Sequence, residues 1–258
     1  MKKTTIISIA LLLFFGLSCS AQKDLSAEQQ IDELLSKYNS SETPGVAVAV
    51  VRDGKIILKK GYGMANLEYD IPITPSTIFH AASVSKQFTT FSILLLEKDG
   101  KISLDDDIRK YIPEVPDFGT KITLRHLATH TSGIKDQWSL LTLAGWRMDD
   151  VITKQQVLNL ISRQKTLNFE PGSKFMYSNS GFTLLAEVVA RVTKQSFADF
   201  TKKRIFEPLK MTNTQFYENH QKIVKNRAYS YGKVGGVYIK GKLNYSNVGA
   251  TSLFTTAE

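Results

Sequence analysis

The chain has 258 residues, 42% hydrophobic, 10% aromatic and 22% charged, a composition that excludes a disordered or collagen-like polypeptide and can supply one sizeable core. Its formal net charge of +9 arises from Lys and Arg scattered along the sequence rather than gathered into a stripe interleaved with aromatics, so no nucleic-acid partner is expected. A single cysteine, Cys19, rules out an intramolecular disulfide and any cysteine-built zinc or iron–sulfur centre within this chain.

Lys2 and Lys3 precede an apolar run over residues 6–17 and then Ser18-Cys19-Ser20-Ala21-Gln22, the charged, apolar and small-residue order of a secretory signal. That run is too short to span a bilayer as a stable helix, and no later stretch reaches about 18 uncharged apolar residues. Cleavage after Ala21 would release residues 22–258 as a secreted or periplasmic domain. The alternative is a lipoprotein, because Gly16-Leu17-Ser18-Cys19 loosely resembles a bacterial lipobox; membrane attachment is expected only if Cys19 is lipidated.

Ser26 and Gln29 form a capping box ahead of Ile31, Leu34, Leu35 and Tyr38, which predicts a first helix. Residues 46–51 and 55–58 flank Asp53-Gly54, the turn pair of a two-residue hairpin, because both turn positions need a positive φ. From about Pro75 the pattern becomes helical: residues 83–98, closed by Asp99-Gly100; residues 123–131; residues 153–163, with Thr153 and Gln156 as a second capping box; residues 181–193; and residues 197–206. Phe88, Phe91, Phe197 and Phe200 are expected in the core. Residues 229–238 around Gly235-Gly236 read as loop and short strand. The implied architecture is a sheet lobe that opens with the hairpin, carrying an inserted helical lobe. A lone hairpin is marginal in water, and the last residues up to Glu258 show no strand run to complete the sheet. Either further strands follow residue 258 or the sheet is small.

Ser-x-x-Lys places a hydroxyl and an amine on one face of a helix. It occurs five times, at Ser20, Ser83, Ser132, Ser162 and Ser230, where average composition gives about one by chance. Ser20 falls at the signal cut and Ser162 at a helix end whose dipole disfavours a developing anion. Ser83 opens the long helix with Phe88, Phe91, Leu94 and Leu95, so its hydroxyl sits at the positive end. Lys86, if walled by apolar groups, would lose ammonium stability and could accept the Ser83 proton. The alternative from spacing alone is an N-capping serine and a solvated lysine.

Pro171-Gly172 leads to Tyr177 and Asn179 just before the helix at Gly181, where a phenol could relay protons and an amide could bind a substrate carbonyl. The same Tyr-x-Asn spacing at Tyr217-Glu218-Asn219 and Tyr245-Ser246-Asn247 reads as surface turns. His126 and His130 lie four apart on a helix, but lack the Glu and third ligand of a zinc site, so packing or a helix-end role is favoured. His80 and His220 have no neighbouring acid. Asp105-Asp106-Asp107 reads as a turn and helix start rather than a calcium loop.

Taken together, Ser83-Val84-Ser85-Lys86, the run from Leu127 to Gly133 (Leu-Ala-Thr-His-Thr-Ser-Gly), and Pro171-Gly172 leading to Tyr177-Ser178-Asn179-Ser180-Gly181 resemble the serine β-lactamase and penicillin-binding protein superfamily, in its class C β-lactamase-like branch. The resemblance covers the chain from about Gly45. It implies an α/β (α+β) fold of the β-lactamase/transpeptidase type, with an antiparallel sheet lobe and an inserted helical lobe. It also implies Ser83 as acylated nucleophile, Lys86 and Tyr177 as the proton-transfer pair, Asn179 as a substrate-positioning residue, and the Ser83 N–H as one oxyanion donor. The family's third motif, Lys-Thr-Gly or His-x-Gly on a wall strand, has no match after Tyr177; Lys233-Val234-Gly235 is a superficial echo. The C-terminal strands are therefore expected to be missing.

These readings point to an exported serine hydrolase, working through an acyl-serine on a β-lactam, a D-alanyl peptide of peptidoglycan or a small ester. It is expected to need no cofactor and no metal, and to be a monomer. The alternative is a truncated, non-catalytic domain that only binds such ligands.

Overall fold

The computed structural model describes residues 25–242 and 244–258. The signal segment, Cys19 and the Ser20–Lys23 pair lie outside the described residues. The chain divides into a unit ending at Ser36 and a unit from Lys37 to Glu258. Within the first unit, α1 (Ala27–Leu34) carries the expected capping box: Ser26 Oγ accepts from the Gln29 N–H at 3.2 Å and Gln29 Oε1 accepts from the Ser26 N–H at 2.9 Å.

The second unit opens with an antiparallel hairpin of β1 (Val46–Arg52) and β2 (Lys55–Tyr62). Its turn is Asp53-Gly54 with φ of +51° and +72°, as the dipeptide requires. A smaller hairpin pairs β3 (Met64–Asn66) with β4 (Ile71–Pro72). After β5 (Phe79–His80), a 3-10 turn over Ala82–Val84 leads into α2 (Ser85–Lys98). Then come α3 (Leu124–Ala128), α4 (Gln137–Leu143), β6 (Ile152–Thr153), α5 (Lys154–Ser162), α6 (Asn179–Thr193) and α7 (Phe197–Thr201), the last continuing into a π-helical turn at Lys202–Phe206. The remaining strands are β7 (Gln215–Phe216), β8 (Ser230–Val234), β9 (Val237–Gly241), β10 (Tyr245–Ser246) and β11 (Leu253–Thr255). Among the described residues, no helix is long and apolar enough to cross a membrane.

The helical lobe is organised around α6, where every residue from Asn179 to Val189 is buried. A helix covered on all sides is a core helix, and α2, α3, α4, α5 and α7 pack against it. Its Leu184, Leu185, Val188 and Val189 meet Ile93 and Leu96 of α2, Leu124 and Leu127 of α3, and Val157 and Ile161 of α5 in one apolar cluster.

Several expectations are corrected. The last residues do contain a strand: β11 lies between β5 and β7, antiparallel to both. One pair, β10 with β6, is parallel. Phe91 and Leu94 are 45% and 43% exposed, so the apolar residues that α2 buries are Ile93 and Leu96, with Phe88 and Leu95 partly buried beside them. Its buried side carries Ser85, Lys86, Thr89 and Ser92 beside Ile93 and Leu96. Those hydroxyls are satisfied: Thr89 Oγ1 donates to the Gly249 carbonyl at 2.8 Å, and Ser85 Oγ accepts from the Leu253 N–H at 3.0 Å. Helix α4, not foreseen, is capped by Asp136. Tyr217, Tyr245 and Asn247 are buried rather than surface turns. Residues 230–241 form a hairpin, β8 with β9, and Lys233 and Gly235 sit in it, exposed.

Two residues fix the segment 249–253 against this frame. Gly249 has φ +93°, and a Cβ there would stand 2.3 Å from the Phe182 carbonyl oxygen and 2.7 Å from Ala186 Cβ. Substitution Gly249→Ala should therefore cost about 2–4 kcal/mol, from overpacking and left-handed strain, read as a lowered denaturant midpoint. His80, across from Phe254, accepts the Ser252 N–H on Nε2 at 3.2 Å and bonds Thr251 Oγ1 at 2.9 Å. Burial, aided by the charge of Arg227, lowers its pKa from 6.5 to about 4. Because the folded value lies below the unfolded one, the neutral ring's contribution is complete above about pH 6.5 and is lost as the pH falls towards 4. Between pH 7 and pH 4, urea unfolding of His80→Gln should show a loss smaller than that of the wild type by on the order of 3 kcal/mol. An equal loss in both proteins would contradict the assignment.

Candidate active site

The 3-10 turn ahead of α2 separates two neighbours in the sequence by environment. Ala82 takes φ +44°, a left-handed conformation that non-glycine residues rarely adopt, and Ser83 follows it on the exposed side of the turn. Lys86, one helical turn on, faces inward and is 8% exposed. The spacing still brings them together, with Lys86 Nζ 3.1 Å from Ser83 Oγ.

Lys86 has two further partners, Asn179 Oδ1 and the Ala250 carbonyl oxygen, each at 2.8 Å. The chemistry of this set is asymmetric. Both carbonyl oxygens can only accept, whereas a hydroxyl can accept or donate. A neutral amine has two hydrogens and one lone pair, so the two carbonyls consume the hydrogens and the lone pair is left facing the Ser83 hydroxyl. The ammonium form fits the same cage, donating its third hydrogen to Ser83 Oγ. The cage therefore holds both ends of a proton transfer without rearrangement.

Burial is the main cause that lowers the Lys86 pKa below its ordinary value of 10.5; the Tyr177 hydroxyl, the charge on Tyr177 when ionised, and Asp136 oppose it. The rings of Tyr177 and Phe182 stand 4.8 and 5.4 Å from Nζ. They supply the walls and, by their π faces, also favour the ammonium.

Tyr177 donates from its hydroxyl to Ser83 Oγ at 2.8 Å and is 45% exposed. Its ring is stacked on His130, with centroids 4.4 Å apart and planes 29° from parallel. His130 follows α3 with φ +59° and grips the tyrosine's backbone from both sides. Its carbonyl accepts the Met176 N–H at 2.9 Å, and its Nδ1 accepts the Ser178 N–H at 3.1 Å. Nδ1 is thus the unprotonated ring nitrogen. Burial first, and the charge of Lys86 second, keep the His130 pKa below the usual histidine value.

Asn179 is the first residue of α6 and 8% exposed. Its oxygen is taken by Lys86 and its Nδ2 donates to Asp136 Oδ2 at 2.8 Å, which leaves one amide hydrogen for any other acceptor.

All four site residues expected from the sequence meet at one place. The competing Ser162–Lys165 pair does not form a site: Ser162 Oγ donates to the Asn159 carbonyl and Lys165 is exposed. His126 Nδ1 accepts the Thr123 N–H in a capping box, and His220 bonds Ser246. Among the described residues, no cluster of His, Cys, Asp and Glu could hold a metal ion. Sequence reasoning missed Asp136, whose only signal was an acid ahead of an apolar helical run, and the Ala250 carbonyl, for which a backbone group leaves no signal at all.

The Beta-lactamase family model matches residues 27–258. Protein flp of Staphylococcus aureus (strain MRSA252) is 31% identical over 228 residues, 85% of this chain and 44% of that protein. D-aminopeptidase of Gluconobacter oxydans is 35% identical over 168 residues, 65% of this chain and 31% of that protein. The chain thus spans less than half the length of either relative. A solved structure of the octameric penicillin-binding protein homologue from Pyrococcus abyssi superposes with a TM-score of 0.76 at 28% identity, covering 89% of this chain and 53% of the other.

The clamp on Tyr177 can be tested by two substitutions of His130. Asn tolerates a positive φ and can still accept the Ser178 N–H, whereas Leu can do neither. His130→Leu should cost about 2–4 kcal/mol and His130→Asn clearly less, read as denaturant midpoints. Equal losses would show that the backbone grip is unimportant.

Proposed function

The chain belongs to the Beta-lactamase family, and from that premise we propose that it is a serine hydrolase that cleaves amides or esters through an acyl-Ser83 intermediate. One observation carries the reading: a single exposed hydroxyl oxygen lies within hydrogen-bond distance of both a buried lysine amine and a tyrosine hydroxyl. Lysine and tyrosine are the only titratable groups touching that oxygen among the described residues, so proton traffic runs through them.

In the forward step Ser83 Oγ attacks the substrate carbonyl carbon as its proton passes to the lone pair of Lys86. The carbonyl oxygen becomes an oxyanion, and the Ser83 N–H, in the first turn where backbone donors lack helical acceptors, would be one of its donors. Collapse of the tetrahedral adduct breaks the bond to the leaving group, and the Tyr177 hydroxyl, beside the same oxygen, supplies the proton that group needs. The ammonium of Lys86, on which the Tyr177 hydroxyl acts directly, returns that proton to the tyrosine, since the acylated Oγ has none to pass on. Water then attacks acyl-Ser83 and the same transfers run in reverse.

The substrate is proposed as a small amide or ester with the D-alanyl-peptide and β-lactam class included, a range supported by the D-aminopeptidase relative. Export, with release after Ala21 or anchoring through Cys19, belongs to the same proposal and rests on the sequence pattern of residues 2–22. A monomer belongs to the same proposal.

Incubation with p-nitrophenyl acetate or a penicillin, followed by intact-mass and peptide mapping, should find the acyl group on Ser83. Ser83→Ala should remove the adduct, and Lys86→Met and Tyr177→Phe should each slow acylation on the order of 10²- to 10⁴-fold. An adduct that persists in Ser83→Ala would sink the proposal.

A further inference from the structure

Asp136 is a buried-side partner of the site that the reaction as proposed does not use. One of its oxygens, Oδ2, accepts two hydrogen bonds from Asn179, from the backbone N–H at 2.6 Å and from Nδ2 at 2.8 Å. The other, Oδ1, accepts the Trp138 N–H at 2.9 Å and caps α4. The carboxylate is thereby fixed by one helix start and in turn fixes another, that of α6.

From this geometry, and resting on the serine-hydrolase reading above, we propose that Asp136 is a positioning residue: it holds the Asn179 amide with its oxygen towards Lys86, which reserves the lysine lone pair for the Ser83 hydroxyl.

The Asn179 amide has two ends, an oxygen and an NH2 group. They are nearly equal in shape, so only their partners decide which end faces Lys86. A carboxylate accepts and cannot donate, so Asp136 can be satisfied only by the NH2 end of Asn179. Were the amide turned round, oxygen would oppose oxygen at Asp136, and Nδ2 would donate into the lone pair of the neutral lysine. That lone pair would then be lost to Ser83. Asp136 thus sets the direction of the hydrogen bond one residue away from it.

Charge adds a second, separable consequence. The groups facing Lys86 are Ser83, Tyr177, His130 and, behind Asn179, Asp136. Asp136 favours the ammonium form, and so opposes the burial that lowers the lysine pKa. Replacing it by asparagine keeps the shape, removes the charge and removes the discrimination between amide ends. The rate should fall through lost orientation while the pH at which Lys86 loses its proton should also fall. A purely structural defect would produce the first effect without the second. His130 is present in both proteins and cancels in the comparison.

The test is the pH dependence of Ser83 labelling by a fluorophosphonate probe, followed by intact mass, in the wild type, Asp136→Asn and Asp136→Glu. Labelling forms an Oγ–P bond and expels fluoride, with the serine proton passing to Lys86. Asp136→Asn should label on the order of ten- to a hundredfold more slowly, with the acid limb of its profile at lower pH, and Asp136→Glu should recover part of the rate. Wild-type labelling in Asp136→Asn, or slower labelling with an unmoved acid limb, would overturn the inference. A crystal structure of Asp136→Asn reads the same geometry without activity: an Asn179 side chain withdrawn from Lys86 supports the inference, and an unchanged contact with unchanged neighbours overturns it. Failure of the wild type to label at Ser83 would instead sink the hydrolase reading, and the crystal structure alone would then decide the role of Asp136.

Discussion

The arrangement depends on how one amine is caged. Lys86 Nζ meets two oxygens that can only accept and one that can also donate, and that asymmetry gives a buried lysine a direction. Without the carbonyls of Asn179 and Ala250 the lone pair would have no preferred target. Without burial the amine would stay an ordinary ammonium. The two requirements conflict, because acceptors near an amine favour its charge while burial disfavours it. The fold balances them by allowing the cage no more than two obligate acceptors.

Much of the architecture can be understood as what holds those acceptors in place. The polar side of α2, with Ser85, Lys86 and Thr89, faces inward because the segment 249–253 lies along it and satisfies each group. Gly249 allows that segment to pass against α6 at a distance where a side chain would collide. Helix α6, buried over eleven consecutive residues, fixes Asn179 at its first position, and His130 grips the chain just before it so that Tyr177 reaches Ser83. The rigid elements are deep and the reacting oxygen is at the surface, the distribution that preorganisation requires.

The sequence disclosed what local chemistry determines. The capping boxes at Ser26 and Thr153, the Asp53-Gly54 turn and the spacing of Ser83 with Lys86 all appear where their residues require them, since each depends on atoms a few residues apart. It was silent or misleading where distant partners decide. Phe91 and Leu94 look like core from their spacing and are exposed, because the inward side of α2 is occupied by polar groups whose acceptors lie some 160 residues away. Tyr217 and Tyr245 look like turn residues and are buried through contacts that no local pattern encodes. Strand β11 is three residues long and is defined by its two neighbours rather than by its own composition. The site followed the same division: Ser83, Lys86, Tyr177 and Asn179 stand in recognisable motifs, while Asp136 acts through an amide on another helix and the Ala250 carbonyl belongs to the backbone.

The central claim is that the Lys86 amine gives up its proton more readily than an exposed lysine and points at one hydroxyl. It is tested most directly by nitrogen-15 NMR of the lysine side chains, titrating Lys86 Nζ in the intact protein with Lys86→Met identifying its resonance. The account predicts a midpoint below the ordinary 10.5, and a midpoint at or above that value would contradict it.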